Sequence, residues 1–353
     1  LLKRLPVTGE TFSPARIEAL LAPLSQANGI LLAVSGGPDS TALLLMAALW
    51  AAQGRRPHIE VATVDHAMRA GSDLEAAAVA ALSRRLGLTH HLIVWRGEKP
   101  LSRVQERARE ARYRLLAACA REIGADFLVT AHHADDQAET VLFRLLRGSG
   151  IGGLRGMDTA APHEGLTLAR PLLSVSKAEL VAFCRANGEV FADDPSNADP
   201  RFARTHLRRL AGALAAEGLG ASEIIRLSRR AARMEEAVAA QTQAAAERLG
   251  WSSPGKERDA RALFAEPIEI AQRLLRTEIA RSAGGTPRQI RLDRLETLTT
   301  ALRDAQAQAR AMRANIGGVS IRLTAKGLLT FGPEPSRRGR ASKAGSGQGT
   351  REV

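Results

Sequence analysis

Between Gly29 and Leu146 the chain alternates short apolar runs with longer segments of helical period, and that alternation excludes most folds. Gly29–Val34, His58–Val64, His91–Trp95 and Asp126–Ala131 read as strands. Thr41–Ala52, Asp73–Leu86, Ser102–Ile123 and Asp135–Leu146 read as the helices between and after them, with Ser102 as a cap. Strands separated by helices of this length can pair only through crossovers. The expected fold is therefore α/β, a doubly wound parallel sheet covered on both faces. Such sheets bind ligands beyond the carboxyl ends of their strands, where this chain carries its polar loops.

Beyond Leu146 the pattern loosens. Gly148–Gly156 reads as a glycine-rich loop, Leu166–Ala169 as an edge strand and Ser176–Asn187 as a helix that Gly188 ends. Asp193–Pro200 is turn-rich. After Arg201 long helices take over, roughly Ser222–Leu249, Pro267–Ala283 and Arg288–Ala307, followed by a hairpin of Val319–Thr324 and Leu328–Phe331. The organisation expected is a catalytic domain over 1–214, a mainly helical domain with a short β hairpin over 215–334, and a disordered basic tail over 335–353.

A content of 45% hydrophobic residues in 353 suffices for a normal core. No apolar run approaches the roughly 20 residues of a bilayer span, and none of secretory length follows Leu1–Pro6, so neither membrane nor signal peptide is expected. The two cysteines, Cys119 and Cys184, form no CxxC pattern, which argues against a disulfide framework, a cluster or a cysteine zinc site. The cytoplasm is the expected compartment. Charge is unevenly placed. Residues 1–200 hold 22 Lys/Arg and 22 Asp/Glu, whereas residues 201–353 hold 28 and 15, which is the whole net charge of +13. An excess confined to one half suggests a polyanion as its partner, against the alternative of a solvated Arg-rich surface.

The loop Ser35-Gly36-Gly37-Pro38-Asp39-Ser40 joins the first strand to the first helix. It lacks the lysine and ending of a Walker loop, but the physics is related. Gly36 and Gly37 allow a sharp turn that brings N–H groups to an anion, Ser35 and Ser40 add hydroxyls, and the helix points its positive end at the same place. Asp39 is the exception, since a carboxylate beside a polyphosphate is repelled unless a cation lies between them. That suggests Mg²⁺, with a helix-capping Asp39 as the alternative.

SGGPDS resembles the pyrophosphatase loop of the N-type ATP pyrophosphatases, whose fold is of the adenine nucleotide alpha hydrolase kind. Four more segments narrow the resemblance: Val64-Asp65-His66-Ala67-Met68-Arg69, Ala111-Arg112-Tyr113-Arg114-Leu115-Leu116, Ala131-His132-His133-Ala134-Asp135-Asp136-Gln137-Ala138-Glu139-Thr140, and Arg147-Gly148-Ser149-Gly150 running into Gly153-Leu154 and Gly156-Met157. With the loop they resemble the tRNA(Ile)-lysidine synthetase family over Ile30 to Arg208. The match continues more loosely through Asp194–Asp199, Arg204, Arg208 and Ile316–Val319. Where many relatives have Arg-Asn, this chain has Arg204-Thr205.

The resemblance implies an ATP-dependent ligase. ATP, with Mg²⁺, would adenylate the wobble cytidine of an isoleucine tRNA with a CAU anticodon, and free L-lysine would then displace AMP to give lysidine. Ser35, Gly36, Gly37, Pro38, Asp39 and Ser40, with Asp65 and His66, would hold the nucleotide. Asp39 and Asp136 would hold the metal, and Asp39, Arg112, Asp135 and Asp136 would carry the chemistry. Arg69, His132, His133, Glu139, Arg204 and Arg208 would face the substrates. The residues alone leave alternatives. His132, His133, Asp135 and Asp136 could instead form a transition-metal site, Arg109 or Arg114 could replace Arg112, His66 could be structural, and Tyr113 could stack on a base or sit in the core. A thiolation-type relative and a non-catalytic RNA- or nucleotide-binding protein are the competing functions, and a homodimer stays open.

Overall fold

A computed structural model describes residues 12–54, 56–65, 71–95, 104–191, 203–253, 255, 257–283 and 290–334. The chain divides into two compact units, Leu1–Ala232 and Arg233–Val353, with the division inside a long helix.

The first unit is built on strands β1 (Gly29–Ala33), β2 (His58–Asp65), β3 (Thr89–Val94), β4 (Phe127–Val129), β5 (Ala160–His163) and β6 (Leu166–Ala169). Its helices are α1 (Pro14–Leu21), α2 (Pro38–Ala51), α3 (Ser72–Arg85), α4 (Val104–Glu122), α5 (Ala134–Leu146), α6 (Ile151–Leu154), α7 (Lys177–Ala186), α8 (Ala203–Ala216) and α9 (Ala221–Arg248). The sheet order is β3-β2-β1-β4-β6-β5, parallel except for the β5–β6 pair. The order reverses between β1 and β4, which is where a doubly wound sheet opens a crevice.

The alternation of side chains along β1 explains the layers. Ile30 and Leu32 pack with α1, α2, α3 and α7, while Leu31 packs with α4 on the other face. Every residue of α2 from Ser40 to Trp50 is buried, as expected of a Leu/Ala helix covered on all sides. Trp50 finds the partner that a buried indole N–H needs in Glu18 of α1, at 3.0 Å. Helix α1 escapes sequence reading because its eight residues are too few to show a clear period, yet Phe12, Ile17 and Leu21 complete the core. Ser176 caps α7 with Glu179 in a reciprocal capping box, and Gly188 at φ 71° ends it.

Leu166–Ala169 is not an edge strand. β6 lies between β4 and β5, and the edge is Ala160–His163. Its Pro162 suits an edge, because proline donates no ladder hydrogen bond, and this also hides the segment from a search for regular strands. Glu164 and Gly165, at φ 47° and 81°, close the hairpin.

The second unit contains the end of α9, with α10 (Ala260–Phe264), α11 (Ile268–Ser282) and α12 (Leu292–Ala307), and strands β7 (Glu257–Asp259), β8 (Met312–Ile316), β9 (Val319–Leu323) and β10 (Leu328–Pro333). The expected hairpin is β9–β10, extended by two further strands into an antiparallel sheet of order β7-β10-β9-β8. Gly317 and Gly318, at φ 62° and 84°, form the tight turn that adds β8. Three-residue β7 is too short to signal itself. The core joins Trp251, Leu274, Leu275 and Leu302 to Ile321 and Leu329.

Candidate active site

Two polar segments meet at the reversal between β1 and β4. The loop Ser35–Ser40 follows β1, and His132–Asp136 follows β4. Only Gly36 has a left-handed φ, of 88°, and an added Cβ there would touch Val79 at 3.4 Å. Gly37 is the N-cap of α2 at φ −74°, a conformation open to any residue, so the sharp turn belongs to Gly36 alone. Pro38 occupies the first turn of α2, where its missing N–H costs nothing. Ser40 is buried and shapes the loop. Its Oγ accepts the Ser35 N–H at 3.1 Å, donates to the Gly37 carbonyl at 3.1 Å and lies 3.3 Å from Ser35 Oγ. Asp39 lies in the first turn of α2 and is not its cap.

The focus of the site is a residue whose central place the sequence does not reveal. His133 is 5% exposed, and carboxylates surround its ring. Nε2 lies 3.5 Å from Asp39 Oδ2 and 3.4 Å from Asp136 Oδ2, and Nδ1 lies 3.5 Å from Asp135 Oδ2. Burial by itself would lower the His133 pKa; the carboxylates of Asp135, Asp39 and Asp136 outweigh it and raise it to about 10. The ring nitrogens of His133 are thus the point around which these three acids are assembled. Asp135 is lowered to about 2, first by His133, against the opposing effect of burial, and further by the Lys177 N–H, which donates to its Oδ2 at 2.9 Å. That bond ties the start of α5 to the start of α7, as does the Ala134 N–H on the Val175 carbonyl at 2.8 Å.

Asp136 accepts the His133 N–H at 3.1 Å and so also serves the first turn of α5. Because α5 begins at Ala134, Asp136 and Glu139 lie one turn apart on one face. His132 turns elsewhere, with Nδ1 2.8 Å from Thr130 Oγ1 and Nε2 3.5 Å from Arg109 Nη2. The two adjacent histidines thus do not share a ligand position. Among the described residues no group of three or more His, Cys, Asp or Glu is arranged to hold a metal ion by itself.

A site for Mg²⁺ needs less, because this ion usually takes one or two carboxylates together with substrate phosphates. The residues fit that requirement. Asp39 Oδ1 is buried without a hydrogen-bond partner, and the Asp39 and Asp136 carboxylates are brought together from two helix starts, each with Oδ2 within 3.5 Å of His133 Nε2. The nearby α2 N-terminus favours the phosphates themselves.

The third element is α4. Arg112 is half-buried, with its guanidinium 5.5 Å from the Tyr113 ring centroid. The arginine that reaches His132 is Arg109, which also donates to the Tyr113 hydroxyl at 3.3 Å. The spacing of Arg109 four residues before Tyr113 was the available signal for this cluster. Tyr113 is buried in the core beneath α4, in edge contact with His163 at 5.3 Å, which favours the core role over base stacking. Asp65 ends β2, on the far side of β1 from β4. His66 and Arg69 lie outside the described residues, as does Asp194–Asp199. Arg204 and Arg208 fall one turn apart on α8, with their side chains outside the described part.

The cysteines lie on opposite faces of the sheet, Cys119 against α4's core and Cys184 in the core beneath α2. Burial, with Glu122 and Glu60 nearby, pushes Cys119 up to about 11, and burial with Asp39 and Glu189 pushes Cys184 up to about 12. Neither is a nucleophile at neutral pH, and they cannot act as a pair. Among the described residues no helix is long and apolar enough to cross a membrane.

Residues 10–213 match the PP-loop domain model. The chain is 49% identical to the tRNA(Ile)-lysidine synthase of Methylobacterium sp. (strain 4-46), over 94% of this chain and 96% of that one. It is 48% identical to the protein of that name from Methylobacterium nodulans, over 94% and 98%, and 45% identical to that of Rhodopseudomonas palustris, over 94% and 98%. Among solved structures, the U34-tRNA thiolase NcsA of Methanococcus maripaludis aligns with a TM-score of 0.53 at 16% identity, covering 63% of this chain and 78% of that one, a likeness of fold. The loop after β1, the acid cluster after β4 and similarity along nearly the whole length agree, and the chain belongs to the tRNA(Ile)-lysidine synthase family of PP-loop proteins.

Proposed function

We propose that this protein is the ATP-dependent ligase that joins lysine to C2 of the wobble cytidine of isoleucine tRNA, releasing pyrophosphate and AMP. The observation that carries the reading is the meeting of the Ser35–Ser40 loop, through Asp39, with His133 and Asp136 at the sheet's reversal point, in a chain so similar to tRNA(Ile)-lysidine synthases.

The cytidine C2 oxygen attacks the α-phosphorus of ATP and the bond to pyrophosphate breaks. Ser35, Gly36, Gly37, Pro38 and Ser40, with the α2 N-terminus, receive the departing phosphates. Asp65 and His66 hold the nucleotide. Asp39 and Asp136 would hold Mg²⁺, which when bound offsets phosphate charge. Arg112, with Arg109 beside it, meets charge growing on the α-phosphate. The lysine amine then attacks C2, its proton passes to the carboxylate cluster, and AMP leaves. Asp136 suits that proton better than Asp135, because Asp136 stands with Asp39 at the Nε2 side of His133, by the loop, whereas Asp135 lies at the Nδ1 side against the start of α7. Glu139 and His132 would face the approaching lysine and cytidine, the buried His133 would hold the acids that act on them, and Arg69, Arg204 and Arg208 would receive the RNA. The basic residues from 215 onward bind tRNA phosphates.

Thiolation is disfavoured by the two separated, buried cysteines. The test is incubation with ATP, labelled lysine and bulk tRNA. Label entering RNA is expected, and its absence, with pyrophosphate unreleased, would overturn the assignment.

A further inference from the structure

The Arg-Gly-Ser-Gly motif after α5 has no place in the chemistry above, yet the structure holds it firmly. Arg144 Nη1 donates to the carbonyls of Gly153 and Gly156 at 2.8 and 2.7 Å. Gln137 exchanges two hydrogen bonds with the Met157 backbone, at 2.9 and 2.6 Å. A Cβ at Gly156 would lie 2.6 Å from Gln137, and one at Gly153 would lie 2.7 Å from Ser149. Residues 148–157 are thus clamped onto α5 in one arrangement. What this arrangement exposes is unusual for a free surface. Phe143 is 37% exposed, Leu146 63% and Ile151 52%. The Arg147 guanidinium lies 4.1 Å from the centroid of the Phe143 ring, and among the described residues Arg147 forms no ion pair.

Helical geometry connects this patch to the active site. Asp136, Thr140, Phe143 and the C-cap residue Arg147 follow one another at spacings of four, three and four along one face of α5, with Glu139 three residues after Asp136 at its margin. The opposite face, with Ala138, Val141 and Leu142, is packed against Leu207 and Ile224. Phe143 stands about 10 Å along the helix from Asp136, at 1.5 Å per residue, which matches the rise of roughly three stacked nucleotides.

We propose that the Phe143–Arg147 pair is a stacking platform for the substrate's single-stranded loop, seating the nucleotides next to the target cytidine while that base enters the site at Asp136. This rests on the reading of the protein as a tRNA ligase and adds to it a site of nucleotide recognition. The occupant is RNA because a flat aromatic ring layered with an unpaired guanidinium presents a π-surface and positive charge together, which suits a base and its phosphate. An apolar protein partner would leave the Arg147 charge to be buried without a counter-ion.

The test uses the full chain and hairpin RNAs with the CAU anticodon loop, each carrying 2-aminopurine at one of the positions within about three nucleotides of the wobble cytidine. Binding of the wild type is expected to change the fluorophore's stacking and its emission. Phe143→Ala should remove that change and weaken binding about tenfold or more, the scale of one lost base–aromatic stack. Phe143→Trp should retain both signals, which separates stacking from misfolding. Arg147→Ala should weaken binding and reduce the salt slope by about one. Unchanged emission and affinity in Phe143→Ala would overturn the platform. So would a change in the mass of the particle in solution with RNA affinity intact, because the face would then join protein copies. Lysine transfer by the wild type is measured in parallel. Its failure would reject the ligase reading, whereas normal transfer with an unaffected Phe143→Ala would reject only the platform.

Discussion

Replacing Glu278 by leucine should destabilise the second unit far more than any surface change. Glu278 and Arg258 form an ion pair at 2.9 Å with side chains 4% and 6% exposed. Arg258 also donates to the carbonyls of Gly250 and Ser253, and its guanidinium lies 5.2 Å from the Trp251 ring centroid. The pair therefore fastens the turn after α9 to α11. Glu278→Leu leaves the guanidinium buried with two carbonyl acceptors and no counter-ion. Breaking such a pair from one side costs about 3–5 kcal/mol. The second ion pair, Arg281 to Glu278 at 3.5 Å, is partly exposed and adds less than about 1 kcal/mol. The remaining carbonyls argue for the lower end, about 3–4 kcal/mol. For a unit of about 100 residues this lowers Tm by roughly 12 °C or more. Calorimetry of the full chain should show the transition of this unit falling by that amount. The double variant Arg258→Met with Glu278→Leu should recover most of it, because a buried ion pair replaced by apolar residues of similar volume is close to neutral. If Glu278→Leu moved the transition by less than about 3 °C, the argument that this pair is dry and obligatory would be wrong.

Asp39→Asn should leave the fold intact and lower pyrophosphate release by roughly 100-fold or more at limiting Mg²⁺; normal release by a folded variant would remove Asp39 from the metal site. Arg112→Ala should suppress pyrophosphate release in the absence of lysine, whereas Asp136→Asn should slow adenylation and also let the adenylated tRNA that does form accumulate, and single-turnover assays with and without lysine separate the two steps. Should Asp135→Asn and Asp136→Asn each block adenylation completely, the lysine step would lose its assigned base. Affinity for tRNA should fall steeply with salt and depend on residues from about 215 onward more than ATP affinity does; an N-terminal fragment binding tRNA as tightly as the full chain would refute that division. Gly36→Ala places a side chain at φ 88° and should cost about 1–2 kcal/mol in the loop, read as weaker ATP binding in calorimetry.

The catalytic unit was largely legible in its residues because its information is local. Strands such as Gly29–Ala33 and helices such as Ala134–Leu146 declare themselves by period, and a loop such as SGGPDS declares itself by the residue types its turn and anion require. The expected strands and helices between Gly29 and Leu146 are all present, with ends shifted by a few residues. Helix α1, edge strand β5 and strand β7 were not legible, since each is short and owes its stability to neighbours: α1 to Trp50 and the core, β5 to β6, β7 to β10. Likewise the sequence presents His132 and His133 as equals, and Asp135 and Asp136 as equals. Tertiary structure separates them. His133 enters a buried ring of carboxylates that includes Asp39, 94 residues earlier in the chain, while His132 turns to Thr130 and Arg109. Asp135 is taken up by the start of α7, leaving Asp136 beside Asp39. Adjacent residues at a strand's end point in different directions, so which of them meets the loop from β1 depends on how the two helix starts pack, and no local pattern encodes that.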